Sequence, residues 1–239
     1  MAFSKRALQF LRGLKKNNAK PWFEAHRDEY ESDVREPMRE LIEDLDRRLR
    51  RFAPEIGGDP QRSMFRIHRD VRFSKDKSPY KTHAACWFHH RSATGRVGGE
   101  AQEGSAGFYF HLEPGRSMVG GGLWMPPRPQ LNKLRDAIVE NPARFDQVAR
   151  GLTRRFGGLD GENVLKRMPR GYADDQPGAQ WLRYTSFTAG RRLTDAQVTA
   201  ADLPSLLEKE FTALLPLVRW LNGALGFSSP AAAPSRSPS

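Results

Sequence analysis

Between residues 65 and 83 the chain reads Phe-Arg-Ile-His-Arg-Asp-Val-Arg-Phe-Ser-Lys-Asp-Lys-Ser-Pro-Tyr-Lys-Thr-His. Six cations, Arg66, Arg69, Arg72, Lys75, Lys77 and Lys81, stand there against only Asp70 and Asp76. Guanidinium groups grip phosphate with paired N–H donors and lysines add point charge, so this stretch has the chemistry to hold an anion. Alternation of apolar and polar residues predicts a strand over Phe65–Phe73. Its period of two puts Arg66, His68, Asp70 and Arg72 on one face and Phe65, Ile67, Val71 and Phe73 on the other. His68 and Asp70 are candidate catalytic residues, because a carboxylate flanked two positions away by His68 and by Arg72 can orient either the imidazole or the guanidinium, the usual supporting task in acid–base sites. Arg66, Arg72, Ser74, Lys75, Lys77, Tyr80, Lys81 and His83 are candidate ligand-binding residues on the strand and the turn after it. The competing reading is a solvated basic hairpin with internal ion pairs, since exposed polar faces of sheets are common. Arg69 interrupts the apolar face and requires a carboxylate partner in either case.

Other positions also carry groups capable of chemistry. His68 and Asp70 could join His83 or His111 as a two-histidine, one-carboxylate set. No helical H-E-x-x-H and no cysteine pair accompanies them, so no metal is expected, and the residues name no cofactor. Gly120-Gly121-Gly122 lies at the centre of an expected strand, where three glycines suggest that something approaches the backbone closely, a ligand or equally Trp87 or Trp124 lying across the sheet. Cys86, beside Trp87 and Phe88, fits a core better than a nucleophile. Tyr172, Asp174 and Asp175, with Arg170, form a second polar cluster that an ordinary capped turn explains as well.

The chain that must position these groups has 239 residues, is 38% hydrophobic and carries a net charge of +11. The surplus is two in residues 1–64, four in 65–125 and five in 126–239. The first third is a nearly balanced surface, and the positive excess is densest in the middle, the footprint of a phosphate, nucleotide or nucleic-acid partner. A single cysteine excludes an internal disulfide. No apolar leader follows Met1 and no run of about 18 apolar residues occurs, so a soluble, cytoplasmic chain with no membrane contact is expected. Oligomeric state is not legible.

The elements follow from periodicity. Ser4 is placed to cap a helix with Ala7, Leu8, Leu11 and Leu14 on one face. Pro21 opens a second helical run from Trp22 to Phe52, with a kink or a junction expected at Pro37. After the Phe65–Phe73 strand, returning strands are expected over Lys81–His89, Phe108–Glu113 and Met118–Trp124, forming an antiparallel meander. A mobile hairpin loop is expected over 91–105. Helices resume after Pro127, a short strand is expected over Trp181–Thr188, and a last helix carries Leu206 to Leu221. The fold class is α+β, an antiparallel β-meander packed with N-terminal and C-terminal helices in a single domain over 1–227. The Pro/Ala/Ser-rich tail 228–239 is expected to be disordered.

The Phe65–His83 stretch resembles the signature of the family catalogued as domain of unknown function 2461. Asn17-Asn18, Trp22-Phe23, Tyr30, Gly107-Phe108-Tyr109, Gly120–Trp124 and Pro169–Tyr172 extend the resemblance over residues 3–222. The Gly-rich stretch 91–105 is longer than in that pattern, and the tail from Ser228 is extra. The resemblance implies a soluble bacterial or fungal one-domain protein and supplies no reaction. Three functions remain on the residues: binding of an anionic small molecule or nucleic acid at the basic strand and turn; catalysis on a phosphate-containing substrate by His68 and Asp70; or a non-catalytic scaffold that meets an acidic protein.

Overall fold

The computed structural model describes residues 3–72, 74–93 and 104–229. Helix α1, Lys5–Lys16, buries Ala7, Leu8, Phe10, Leu11 and Leu14, the stripe that its spacing predicts. Ser4 stands at the N-cap position in an extended conformation, but its side chain makes no capping bond. Asn17 then ends the helix, and α2, Lys20–Ala25, starts with Pro21 in its first turn.

A short turn α3, Arg27–Glu29, leads into a π-helical segment, Tyr30–Arg35, and on into α4, Glu36–Phe52. Pro37 has no N–H to give the preceding turn and its ring crowds a carbonyl there. The wider π turn directly before it, with Glu36 N–H bonded to Glu31 O, lets the helix run on without a break. Met38, Leu41, Ile42, Leu45 and Leu49 form the buried stripe of α4.

Five strands follow: β1 Ile56–Gly57, β2 Ala84–His90, β3 Gly107–Leu112, β4 Met118–Leu123 and β5 Phe187–Arg192. They form one sheet in the order β1-β2-β3-β4-β5, and every pairing is antiparallel. Between β4 and β5 lie α5 Arg128–Glu140, α6 Pro142–Phe156 and α7 Ala179–Leu182; α8 Asp195–Thr199 and α9 Leu203–Ala224 complete the order. The α+β class and the antiparallel meander are as the sequence predicts, and one contiguous core joins the sheet to the helices. Phe88 and Phe108 point from the sheet onto Phe211 of α9, with ring centroids 5.6 and 4.6 Å away.

Two strands differ from expectation. Trp181 belongs to α7, and the last strand begins only at Phe187, where it pairs with Leu123. Residues 65–72 form no regular strand; isolated bridges stand at Met64, to Cys86, and at His68, to Tyr80. The cause is a slip in register. Phe65 N–H reaches Ala85 O, whereas Lys81 N–H reaches Ile67 O, so three residues, Thr82 to Ala84, stand opposite Arg66 alone. Such a bulge ends regular pairing and re-aims the side chains beside it. The alternation itself survives: Ile67 is buried while Arg66, His68 and Asp70 are exposed.

The triple glycine is explained by packing. A Cβ on Gly121 would sit 3.4 Å from Leu214 of α9 and 3.0 Å from Gly107 O. Gly122 has φ +125° and leaves no room for a Cβ against Phe187 O. The close neighbours are a helix and the flanking strands, and neither a ligand nor a tryptophan is needed. The loop expected over 91–105 and the tail from Ser228 lie largely outside the described residues.

Candidate functional site: a basic cleft

Asn18, just after α1, fixes the geometry of the basic segment. Its amide accepts from Tyr80 N–H at 3.1 Å and donates to Tyr80 O at 2.9 Å, an imitation of strand pairing across 62 residues. Tyr80 is thereby buried, its ring stacked on Phe23 of α2 with centroids 4.2 Å apart. Phe23 in turn touches Phe10 and Tyr30. The aromatic cluster ties the turn after Phe73 to the N-terminal helices.

Between those helices and the chain from Pro60 to Asp70 lies a cleft of about 950 Å³. The helical wall brings Arg27, Arg35 and Arg39 to it, with Glu31 among them. Arg62, Arg66, His68, Asp70 and Lys81 line the other side, and Phe23, Tyr30, Phe65 and Ile67 supply apolar surface. Each helical arginine has a carboxylate three or four residues before it: Arg27 reaches Glu24 at 2.8 Å, Arg35 reaches Glu31 at 2.7 Å and Arg39 reaches Glu36 at 3.4 Å. Among the described residues Arg62, Arg66 and Lys81 have none. The Lys81 ammonium lies 5.2 Å above the Phe65 ring, and burial together with the charge of Arg66 pushes its pKa down. A cation held near a like charge, partly out of water, gains when an anion arrives.

The cleft gathers some of the residues named from sequence and not others. Arg66, His68, Asp70 and Lys81 line it, and Tyr80 stands behind its wall. Asp70 is engaged by Arg72, whose Nη2 donates at 2.7 Å and whose backbone N–H donates at 3.2 Å. These bonds hold the Asp70 carboxyl down to about 2. Among the described residues no hydrogen bond joins Asp70 to His68, whose ring lies 5.1 Å from that of Tyr80.

The turn after Ser74 is spent on itself. Asp76 accepts from the Ser78 hydroxyl at 2.6 Å, from Ser78 N–H at 2.9 Å and from Arg69, and these bonds, that of the Ser78 hydroxyl first, hold its carboxyl well below the usual range. Arg69 thus has the carboxylate that its position required. Ser74 Oγ accepts from Arg69 at 3.4 Å, Lys77 Nζ donates to Val71 O at 2.9 Å, and Lys75 is exposed. His83 turns toward the sheet and stacks on His111 at 4.3 Å; burial and that neighbour push it down to about 4. His111 lies between Tyr109 Oη at 3.0 Å and the Glu113 carboxylate at 3.2 Å.

Elsewhere Cys86 is fully buried and burial pushes its thiol up. Tyr172 donates to Asp136 of α5 at 2.8 Å and Asp174 pairs with Arg183, just after α7, at 2.9 Å, so the polar groups of that loop tie it to the neighbouring helices. Among the described residues no group of three His, Cys, Asp or Glu is placed to hold a metal ion, and no helix is long and apolar enough to cross a membrane.

The layout, Asn18 clamping Tyr80, the aromatic cluster behind it and the bulged basic segment, uses the same blocks that carry the sequence resemblance. The family model described as "Conserved hypothetical protein (DUF2461)" matches residues 6–220. The chain belongs to that family. No curated protein and no solved structure matches it. For this DUF2461 chain the helical wall of the cleft was not named from sequence. Arg27, Arg35 and Arg39 stand among nearly equal numbers of acids, and nothing local marks them as facing Arg62 and Arg66. The one available signal was the Trp22-Phe23 and Tyr30 portion of the family pattern.

Proposed function

We propose that the cleft binds an organic anion carrying phosphate. The observation that supports this reading is the grouping of Arg62, Arg66 and Lys81, cations without carboxylate partners among the described residues, on one wall of the cavity. A volume of about 950 Å³ is that of a small-molecule site and far exceeds inorganic phosphate. Phe65 and the neighbouring apolar residues would cover the carbon skeleton. A concave site favours a small ligand over nucleic acid, which needs an open, continuous track. The basic turn Ser74–Lys77 and His83 have no part in this reading, and Arg72 serves it through Asp70.

An enzymatic version rests on His68, which lines the cleft and has no hydrogen-bond partner among the described residues. It would exchange a proton with the bound ligand, while Asp70 stays with Arg72 and contributes only charge.

A thermal-shift screen of nucleotides, phosphosugars and short oligonucleotides tests the proposal. A ligand present at a hundred times its Kd stabilises by about 2.7 kcal/mol, which raises Tm by roughly 5–10 °C for a chain of this size. The expected result is such a shift with a phosphorylated small molecule and its loss in Arg66→Ala. If no phosphorylated compound stabilises the wild type selectively, the proposal fails.

A further inference from the structure

Tyr30 opens the π-helical segment and is only 6% exposed. Its ring packs on Phe10 and Phe23, with centroids 5.8 and 5.4 Å away, which accounts for the aromatic body of the side chain. The hydroxyl is not accounted for in the same way. Tyr30 lines the cleft, yet among the described residues its O–H has no hydrogen-bond partner. A phenol buried to this extent ordinarily has one, because a polar group left unpaired out of water costs free energy. Phenylalanine would fill the same space without that cost.

The charges around that hydroxyl say which kind of acceptor it suits. Burial pushes its pKa up to about 12, and the charged groups that act on it are Arg35, Glu31 and Arg39. It is therefore a neutral O–H donor at physiological pH. Both arginines are engaged by carboxylates, Arg35 by Glu31 at 2.7 Å and Arg39 by Glu36 at 3.4 Å, so charge near Tyr30 is balanced. The cations without carboxylates among the described residues belong to the opposite wall: Arg62 and Arg66, with Lys81, whose N–H bonds Ile67 O. A phosphate is held best by those cations, whereas a neutral donor in balanced surroundings suits an uncharged oxygen. Glu31 Oε1 and Oε2 accept from Arg35 at 2.8 and 2.7 Å, and a carboxylate oxygen can accept more than one bond. Tyr30 and Glu31 thus bring a donor and an acceptor, adjacent in the chain, to the cleft wall. An alcohol both donates and accepts, so it is the ligand group that can satisfy the two together.

We infer that Tyr30 is a specificity-determining residue of the cleft: with Glu31 it reads a hydroxyl on the organic part of the ligand, while Arg62, Arg66 and Lys81 hold the phosphate. This inference rests on the phosphate reading above and sharpens it to a class, hydroxyl-bearing phosphate esters, which are the polyol and sugar phosphates and the ribose phosphates of nucleotides.

Titration calorimetry of the full chain, wild type and Tyr30→Phe, separates the possibilities. The probes are glycerol phosphate, sorbitol phosphate and adenosine monophosphate, against hexyl phosphate, which has the length of sorbitol phosphate and no hydroxyl. At least one hydroxylated ester should bind the wild type more tightly than hexyl phosphate. Tyr30→Phe should weaken that ester by roughly three- to tenfold, the worth of one neutral hydrogen bond, and leave hexyl phosphate within about twofold. The variant keeps the ring, so thermal unfolding without ligand should give a Tm equal to or above that of the wild type. A lower Tm means that the hydroxyl serves the fold, and overturns the inference. It is also overturned if no hydroxylated ester exceeds hexyl phosphate, or if Tyr30→Phe leaves every ester unchanged or weakens hexyl phosphate as much as the others. In those cases binding that is lost in Arg66→Ala leaves the phosphate site standing. If none of the four compounds binds the wild type, the phosphate site itself is refuted.

Discussion

Replacing Asn18 by alanine isolates the contact that positions the cleft. The side chain makes two hydrogen bonds, both to the backbone of Tyr80 and both long-range. A typical bond of this kind contributes about 1 kcal/mol net, and unpaired buried backbone groups cost somewhat more. The expected loss is therefore about 2 kcal/mol, or roughly 4–8 °C in Tm for a chain of this length. Urea unfolding should show a lower midpoint at unchanged slope, because the change removes contacts without altering how much surface unfolding exposes. Near-ultraviolet circular dichroism should weaken as Tyr80 loses its fixed stack on Phe23. Asn17→Ala is the matched control, since that side chain bonds only Gly13 O at an exposed helix end, and it should cost less than about 0.5 kcal/mol. If Asn18→Ala costs no more than Asn17→Ala, Asn18 does not anchor the basic segment.

Gly122→Ala should destabilise by at least about 2 kcal/mol in the same urea assay, because alanine is strained at φ +125° and its methyl meets Phe187 O. Gly104→Ala, in open space, should be near neutral. Glu210 is buried and accepts from Arg155 at 2.7 Å and Arg191 at 2.6 Å, so Glu210→Ala should cost about 3 kcal/mol while Arg155→Ala costs less. Folding holds His83 neutral down to about 4, against an ordinary value of 6.5. The unfolded chain then binds the extra proton, so this contribution to stability is intact above 6.5 and is lost as pH falls from 6.5 toward 4. His83→Gln should remove that part of the stability–pH slope, and the His83 imidazole should titrate near pH 4 by NMR in the folded protein.

The helices were legible because their burial is periodic: Leu8, Leu11 and Leu14 in α1 and Met38, Leu41, Ile42 and Leu45 in α4 occupy the predicted faces. Pro37 was legible as a disturbance but not as a π turn, which depends on how the helix beyond it is held. Phe65–Phe73 had the pattern of a strand, and its burial alternates as one over Ile67 and its neighbours. The slip of register opposite Arg66 is set by the tertiary anchoring of Tyr80 through Asn18, which no local window contains. The helical half of the cleft is not legible for the same reason: Arg27 and Arg66, some forty residues apart, come to line one cavity only through the tertiary fold. In the turn Ser74–Ser78 the sequence shows Asp76 only as one charge among cations, whereas in the fold it organises Ser78 and Arg69 around itself.

The most direct test of the cleft is arginine side-chain NMR during titration of the full chain with an alkyl phosphate. The Nε–Hε signals of Arg62 and Arg66 should shift together and saturably, while those of Arg72 and of Arg155, which lies on α6 bonded to Glu210, stay in place. Shifts confined to Arg72, or no saturable shift at Arg62 and Arg66 with any alkyl phosphate, would contradict a phosphate site in the cleft.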